Sequence, residues 1–180
     1  MDPQLIVNGI ALGSIIALGA VGLTLTCGIL RLSNFAHGDL MTLGAFVAWM
    51  VNRSPIPVLN NIWVSMLVGI VATVGVALLT EAILWKRMRR VRATSTTLVI
   101  ISIGLALFLR NGILLIWGSD AKRYNLPVSE AIDVFGIKIK FYNLVVLGLA
   151  LVAIAALHFL LQNTKIGKAM RAVADDIDLA

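Results

Sequence analysis

Four groups of residues in this 180-residue sequence carry side chains suited to chemistry or recognition. The densest is Ser33-Asn34-Phe35-Ala36-His37-Gly38-Asp39, in which an amide, an imidazole and a carboxylate surround a phenylalanine and a glycine. Glu81 and Arg110 are lone charges inside long apolar runs, and the last segment carries Lys165, Lys168 and Arg171 followed by Asp175, Asp176 and Asp178. Such groups can build a proton relay or a cationic site for a carboxylate. They do not build a recognisable catalytic centre. There is no GxxxxGK[ST] phosphate loop, no HExxH metal pair and no GxSxG nucleophile elbow, and His37 and His158 are far apart. The single cysteine, Cys27, lies in an apolar block and supplies no disulfide framework, CxxC pair or thiolate metal site. No catalytic residue, cofactor or metal is therefore expected on this chain.

The elements that position these groups are set by composition. Hydrophobic residues make up 59% of the chain and charged residues 13%, with mean hydropathy +0.96, against about half and about a quarter in soluble domains. The expected solvent is lipid. Leu5 to Leu30 carries no charge and runs about 39 Å as a helix, more than the roughly 30 Å hydrocarbon core. The start Met1-Asp2-Pro3-Gln4 has no basic n-region, so this span is expected to stay attached rather than be cleaved as a signal peptide. Leu40 to Val51 is too short to cross alone, so a second span should begin near residue 32 or 33. The predicted spans are about 5–30, 33–51, 62–85, 96–117 and 142–161. The fold class is all-α, a polytopic transmembrane helix bundle of about five spans over 1–161, followed by a cytoplasmic segment at 162–180.

Charge orients the spans. The net charge of +6 and pI near 10.0 come from short basic clusters between apolar blocks rather than from one folded face, which excludes a nucleic-acid partner and favours a bilayer. Lys86, Arg87, Arg89, Arg90 and Arg92 lie beside two spans and mark the cytoplasmic side. Segments 86–97 and 162–180 are then inside, 52–61 and 118–141 outside, and the N-terminus outside. With Arg31, also inside, nine basic residues lie inside and five outside.

Within that frame each polar group has more than one reading. Gly9, Gly13 and Ala17, and Ala20, Thr24 and Gly28, form stripes on which other helices can pack. Ser65, Gly69, Thr73, Ala77 and Glu81 share one face of the third span, and Glu81 is expected to pair with Arg87 or Arg90, with a proton relay as the alternative. Arg110, beyond the midplane towards the outer side, either snorkels or lines a wet cavity where it attracts a substrate carboxylate. Segment 33–39 is either a helix start capped by Ser33 or Asn34, with Asp39 complementing the helix dipole, or a broken or re-entrant helix facing a transport path. His158 reads as interfacial. In the long outer loop, Ile132 to Lys140 alternates about Gly136 and predicts a small hairpin. Residues 164–180 read as an amphipathic segment with Ile166, Met170, Val173 and Ile177 on one face. The reversal of charge along it predicts two short helices, the first capped by Thr164 and the second by Asp175 or Asp176. A lipid-surface helix is the alternative.

Two strings resemble a known family. Asn34-Phe35-Ala36-His37-Gly38-Asp39 after a Gly-rich span, and Thr164-Lys165-Ile166-Gly167-Lys168-Ala169-Met170-Arg171-Ala172-Val173-Ala174-Asp175-Asp176, are similar to the branched-chain amino acid type of ABC transporter permease. The resemblance covers essentially the whole chain. It implies a bacterial plasma (inner) membrane importer in which this subunit and a sister permease form the pathway, ATPase subunits sit beneath, and an extracytoplasmic amino-acid-binding protein delivers a branched-chain or other neutral amino acid. ATP and magnesium would then belong to the partner subunits. It further implies that Thr164, Ile166, Gly167, Ala169, Met170, Arg171, Ala172, Asp175 and Asp176 couple the permease to the ATPase, and leaves Asn34, Phe35, His37, Gly38, Asp39 and Arg110 as pathway candidates. Members of that family continue into further spans, so the chain is expected to be a fragment or a truncated product. Apart from the resemblance, the residues also fit an ion-coupled secondary carrier or channel-like protein that uses Glu81, Asp39 or His37.

Overall fold

The computed structural model describes residues 3–30, 34–56, 60–124, 132–134, 137–139 and 141–175. Their elements in chain order are α1 (Pro3–Leu30), α2 (His37–Asn52), α3 (Ile62–Thr80), a π-helical turn (Glu81–Trp85), α4 (Lys86–Arg90), α5 (Ser95–Trp117), β1 (Ile132–Val134), β2 (Ile137–Ile139), α6 (Phe141–Asn163) and α7 (Lys165–Asp175). Among the described residues four helical stretches are long and apolar enough to cross a membrane: Gln4–Gly28, Ile62–Arg90, Ser95–Trp117 and Phe141–Asn163. The fold is all-α and polytopic, with one small hairpin. Two boundaries differ from the sequence reading. The third span does not stop at Trp85 but continues through the basic residues to Arg90. The segment expected as the second span begins at His37 rather than 33, and its 16 residues rise only about 24 Å, so it is not among the four.

The chain divides into two compact units, Leu32–Pro127 and Met1–Arg31 with Val128–Ala180. In the first, α2 packs along α3 through small residues. Ser65 and Gly69 of α3 and Ala48 of α2 are buried, and the Thr73 hydroxyl folds back to donate to the Gly69 carbonyl at 2.8 Å. A methyl group added to Gly69 would stand 2.7 Å from the Gly44 carbonyl oxygen and 2.9 Å from Ala48 Cβ, so the two backbones approach as only small residues allow. Of the stripe expected on the third span, Gly69 and Thr73 meet α2 and Ser65 is buried. α5 closes the unit, with Leu98 and Leu105 in a core that includes Ala36 and Trp85.

Caps set the helix starts. Asn61 accepts from the Trp63 amide at 3.0 Å to begin α3, and Thr94 accepts from the Thr97 amide at 3.3 Å to begin α5. Between α4 and α5, Arg92 takes a left-handed conformation (φ 52°). There the Ala93 amide donates to Met88 O at 3.1 Å, the six-to-one bond that usually employs glycine at the left-handed position.

In the other unit α1 lies against α6, with Val7, Ile10 and Ala11 facing Asn143, Leu144 and Leu147 across a shallow groove. The small-residue stripes predicted on α1 are not what makes that contact. Positions 9, 13 and 28 have no neighbour within 4 Å of an added methyl group among the described residues. The predicted hairpin is present, with Ile132 opposite Ile139 and Val134 opposite Ile137. At the far end α6 turns sharply into α7.

Candidate functional site

The segment that dominates the sequence reading forms a compact turn. Asn34 Oδ1 accepts from the Ala36 amide at 3.1 Å, and the Asn34 carbonyl accepts from the His37 amide at 3.3 Å. This is an asparagine turn that precedes the helix rather than a side-chain cap on it. The N-cap residue is Ala36, which is fully buried. The expected cap by Ser33 or Asn34 is thus corrected for Asn34, whose side chain is spent on the Ala36 amide, one residue before α2 begins; Ser33 lies outside the described residues.

A serine on the neighbouring helix completes the turn. The Phe35 amide donates to Ser102 Oγ at 3.4 Å, and that hydroxyl donates to Val99 O at 2.7 Å. Ser102 is seven residues, about 10 Å, along α5. The start of α2 is therefore set more than one turn inward from the start of α5. His37 is half-buried, Gly38 is exposed with its carbonyl accepting from Thr42 Oγ1 at 2.9 Å, and the Phe35 side chain is exposed.

One turn on, Asp39 meets Arg110. Arg110 Nε lies 3.6 Å from Asp39 Oδ1, with the arginine side chain 69% exposed and the aspartate 16% exposed. Ion pairing stabilises both groups away from bulk water, but 3.6 Å is longer than a hydrogen bond. Among the described residues Asp39 is the only ionic partner of Arg110. Arg110 is about 22 Å along α5 and about 10 Å short of Trp117, past the helix centre, where a lone charge would cost roughly 3 kcal/mol on insertion scales. Of the pathway candidates, the structure thus brings Asp39 and Arg110 together, and Asn34 and Phe35 form the turn that places Asp39.

Glu81 has a different role. It pairs with Arg89 rather than with Arg87 or Arg90, and the π turn explains why. In an α-helix two turns return after 7.2 residues; a wide turn inserts roughly one residue more, which brings the eighth residue onward onto the glutamate's face.

The opposite end of the same unit holds a cluster that sequence reasoning missed. Trp49, Asn52, Arg53, Asn60 and residues 120–124 line a cleft of about 610 Å³. Trp49 Nε1 donates to Arg123 O at 3.0 Å, while Arg53 and Lys122 stand 5.7 and 5.5 Å from the Trp49 ring, within cation–π range. Tyr124 donates to Ala45 O at 2.8 Å, and partial burial of its phenol pushes it above the ordinary value. The i to i+4 spacing of Trp49 and Arg53 was the available signal.

The coupling candidates gather at the α6–α7 corner. Thr164 Oγ1 accepts from the Gly167 amide at 3.0 Å, the predicted cap, and donates to Leu160 O at 2.6 Å. Gly167 is buried against the α6 backbone, where a methyl group would stand 2.5 Å from Leu161 Cα. Ala169, Arg171 and Ala172 are exposed and Met170 is half-buried. The side chains of Ile166 and Asp175, and all of Asp176 with the second short helix expected after it, lie outside the described residues.

A family signature described as the branched-chain amino acid transport system permease component matches residues 5–180. The chain belongs to this family. As one of its members it is a multi-pass membrane protein. It is 29% identical over 188 residues to the high-affinity branched-chain amino acid transport system permease protein LivH of Salmonella typhimurium, covering 98% of this chain and 60% of that protein. The LivH of Escherichia coli K12 is similar at the same identity and coverage, and BraD of Pseudomonas aeruginosa is 26% identical over 189 residues. The family chain thus spans about 60% of the length of these relatives. No solved structure matches it significantly.

Proposed function

We propose that this chain is a permease subunit of an ATP-driven importer, forming part of the translocation pathway for branched-chain or other neutral amino acids. The observation that carries the reading is the family match over residues 5–180. The structure is compatible with it in two places: an ion pair on α2 and α5, and a capped, closely packed corner that presents α7. In this reading 1–161 is the transmembrane part and 162–180 the start of the coupling loop. The chain lies in the bacterial plasma membrane, with the Arg-rich turn at 86–97 and α7 in the cytoplasm and the N-terminus outside.

Coupling then follows from the corner. A short helix capped by Thr164 and wedged at Gly167 cannot swing freely on α6, so displacement of α7 by an ATPase surface would be transmitted to α6 and α1. ATP and magnesium would be bound by that partner, with a sister permease and an extracytoplasmic binding protein completing the assembly.

Purification of the tagged protein from its native membrane in mild detergent tests this. Stoichiometric recovery of a subunit with a phosphate-binding loop and of a second permease is the expected result. An intact protein recovered without either, still supporting ion-dependent uptake, would replace the proposal with an ion-coupled carrier.

A further inference from the structure

Resting on that reading, we propose that Asp39 and Arg110 form the head-group site for a zwitterionic amino acid. A free α-amino acid presents a carboxylate and an ammonium on adjacent atoms. The structure sets an acceptor of one sign and a donor of the other 3.6 Å apart on two helices. The approach is made by Nε of the guanidinium, so the edge formed by its two Nη groups stays available, and this is an edge that takes a carboxylate bidentately. Among the described residues no hydrogen bond is formed by any of the five Arg110 donors. Asp39 has a second oxygen to accept from an ammonium.

The surroundings favour an apolar side chain. On α5, Leu107 and Leu114 lie three residues before and four after Arg110, on the same side of the helix, and both are exposed at 54% and 44%. A guanidinium 69% exposed at this depth fits a wet cavity, the one of its two expected environments that a substrate can reach. A pair that is neutral overall suits a substrate that is neutral overall, because neither the empty nor the filled site carries a net charge. A carboxylate without an ammonium, or an ammonium without a carboxylate, would leave one member of the pair with an uncompensated charge.

Two measurements on the assembled transporter test this. First, radiolabelled leucine is bound to the purified wild-type complex without its soluble partner, and leucine amide or 4-methylpentanoate is added as competitor. Both analogues are expected to compete at least tenfold less well than unlabelled leucine; equal competition by either overturns the head-group site, and so does a complex that transports leucine but shows no saturable binding. Second, the double variant Asp39→Asn/Arg110→Gln removes both charges and keeps a polar amide at each position. It is expected to assemble and to lose leucine binding at least tenfold. If the double variant instead binds and transports leucine as wild type does, the pair only compensates charge. Wild-type uptake dependent on ATP would in that case leave the importer reading standing, whereas its absence would count against that reading and not against the pair alone.

Discussion

Gly69 of α3 faces Gly44 of α2 so closely that a methyl group at Gly69 would stand 2.7 Å from the Gly44 carbonyl oxygen. The obstacle is backbone, which cannot rotate away. Gly69→Ala is therefore expected to destabilise the α2–α3 pair by about 1–3 kcal/mol, in the range of overpacked cores. A methyl group at Gly44 instead meets the Thr73 hydroxyl, a side chain with another rotamer, so Gly44→Ala should cost less. Denaturant unfolding of the two variants in the same detergent gives the order; equal stability, or the reverse, would contradict this packing.

The Glu81–Arg89 pair joins two half-exposed side chains, at 41% and 43% exposure. Pairs of this kind contribute about 0–1 kcal/mol. Glu81→Gln is expected to change stability by no more than that and to leave uptake with the same pH profile as wild type. A shifted or flattened profile would instead mark Glu81 as a proton carrier and favour the ion-coupled alternative.

What the sequence revealed and what it hid divide by distance along the chain. Period-four small residues from Ser65 to Thr73, the threonine before α7 and the alternation from Ile132 to Ile139 are local patterns, and each appears in the structure as read. The start of α2 was missed because Asn34 has the chemistry of a cap and of a preceding turn alike. Burial of Ala36 against Trp85, Leu98 and Leu105 decides between them, and that contact is non-local. Arg89 was missed as the partner of Glu81 because a π turn leaves no signature in the residue types around it. Arg110 and Asp39 were each recognised as costly charges, but their pairing requires α2 and α5 to lie side by side, which no periodicity encodes.

Tyr124 predicts an alkaline limit. Its phenol donates to Ala45 O only while protonated, and burial raises its pKa above the ordinary 10.0. The folded state then holds the proton more tightly than the unfolded state, so stability from this group is fully present below pH 10 and is lost as pH rises through the higher folded value. Tyr124→Phe should weaken the protein at neutral pH and flatten this limb. The measurement is the unfolding midpoint between about pH 9 and about pH 11, one unit on either side of the ordinary value, and parallel curves for the two proteins would show that the phenol is not what titrates.

The α6–α7 corner separates folding from coupling. Thr164→Ala removes the bond from the Gly167 amide and is expected to cost about 1 kcal/mol, as other lost caps do, without moving α7 far. Gly167→Ala differs, because a methyl group has no space between residue 167 and the backbone at Leu160 and Leu161. Either α7 tilts away or the last turn of α6 opens. If α7 is the element through which ATP hydrolysis reaches the spans, the alanine variant should insert and assemble yet lose most substrate-stimulated ATPase activity, with Gly167→Trp abolishing it. The threonine variant should keep both. A Gly167→Ala complex with full stimulation would mean that the orientation of α7 on α6 does not transmit the motion, and coupling would have to be sought outside this corner.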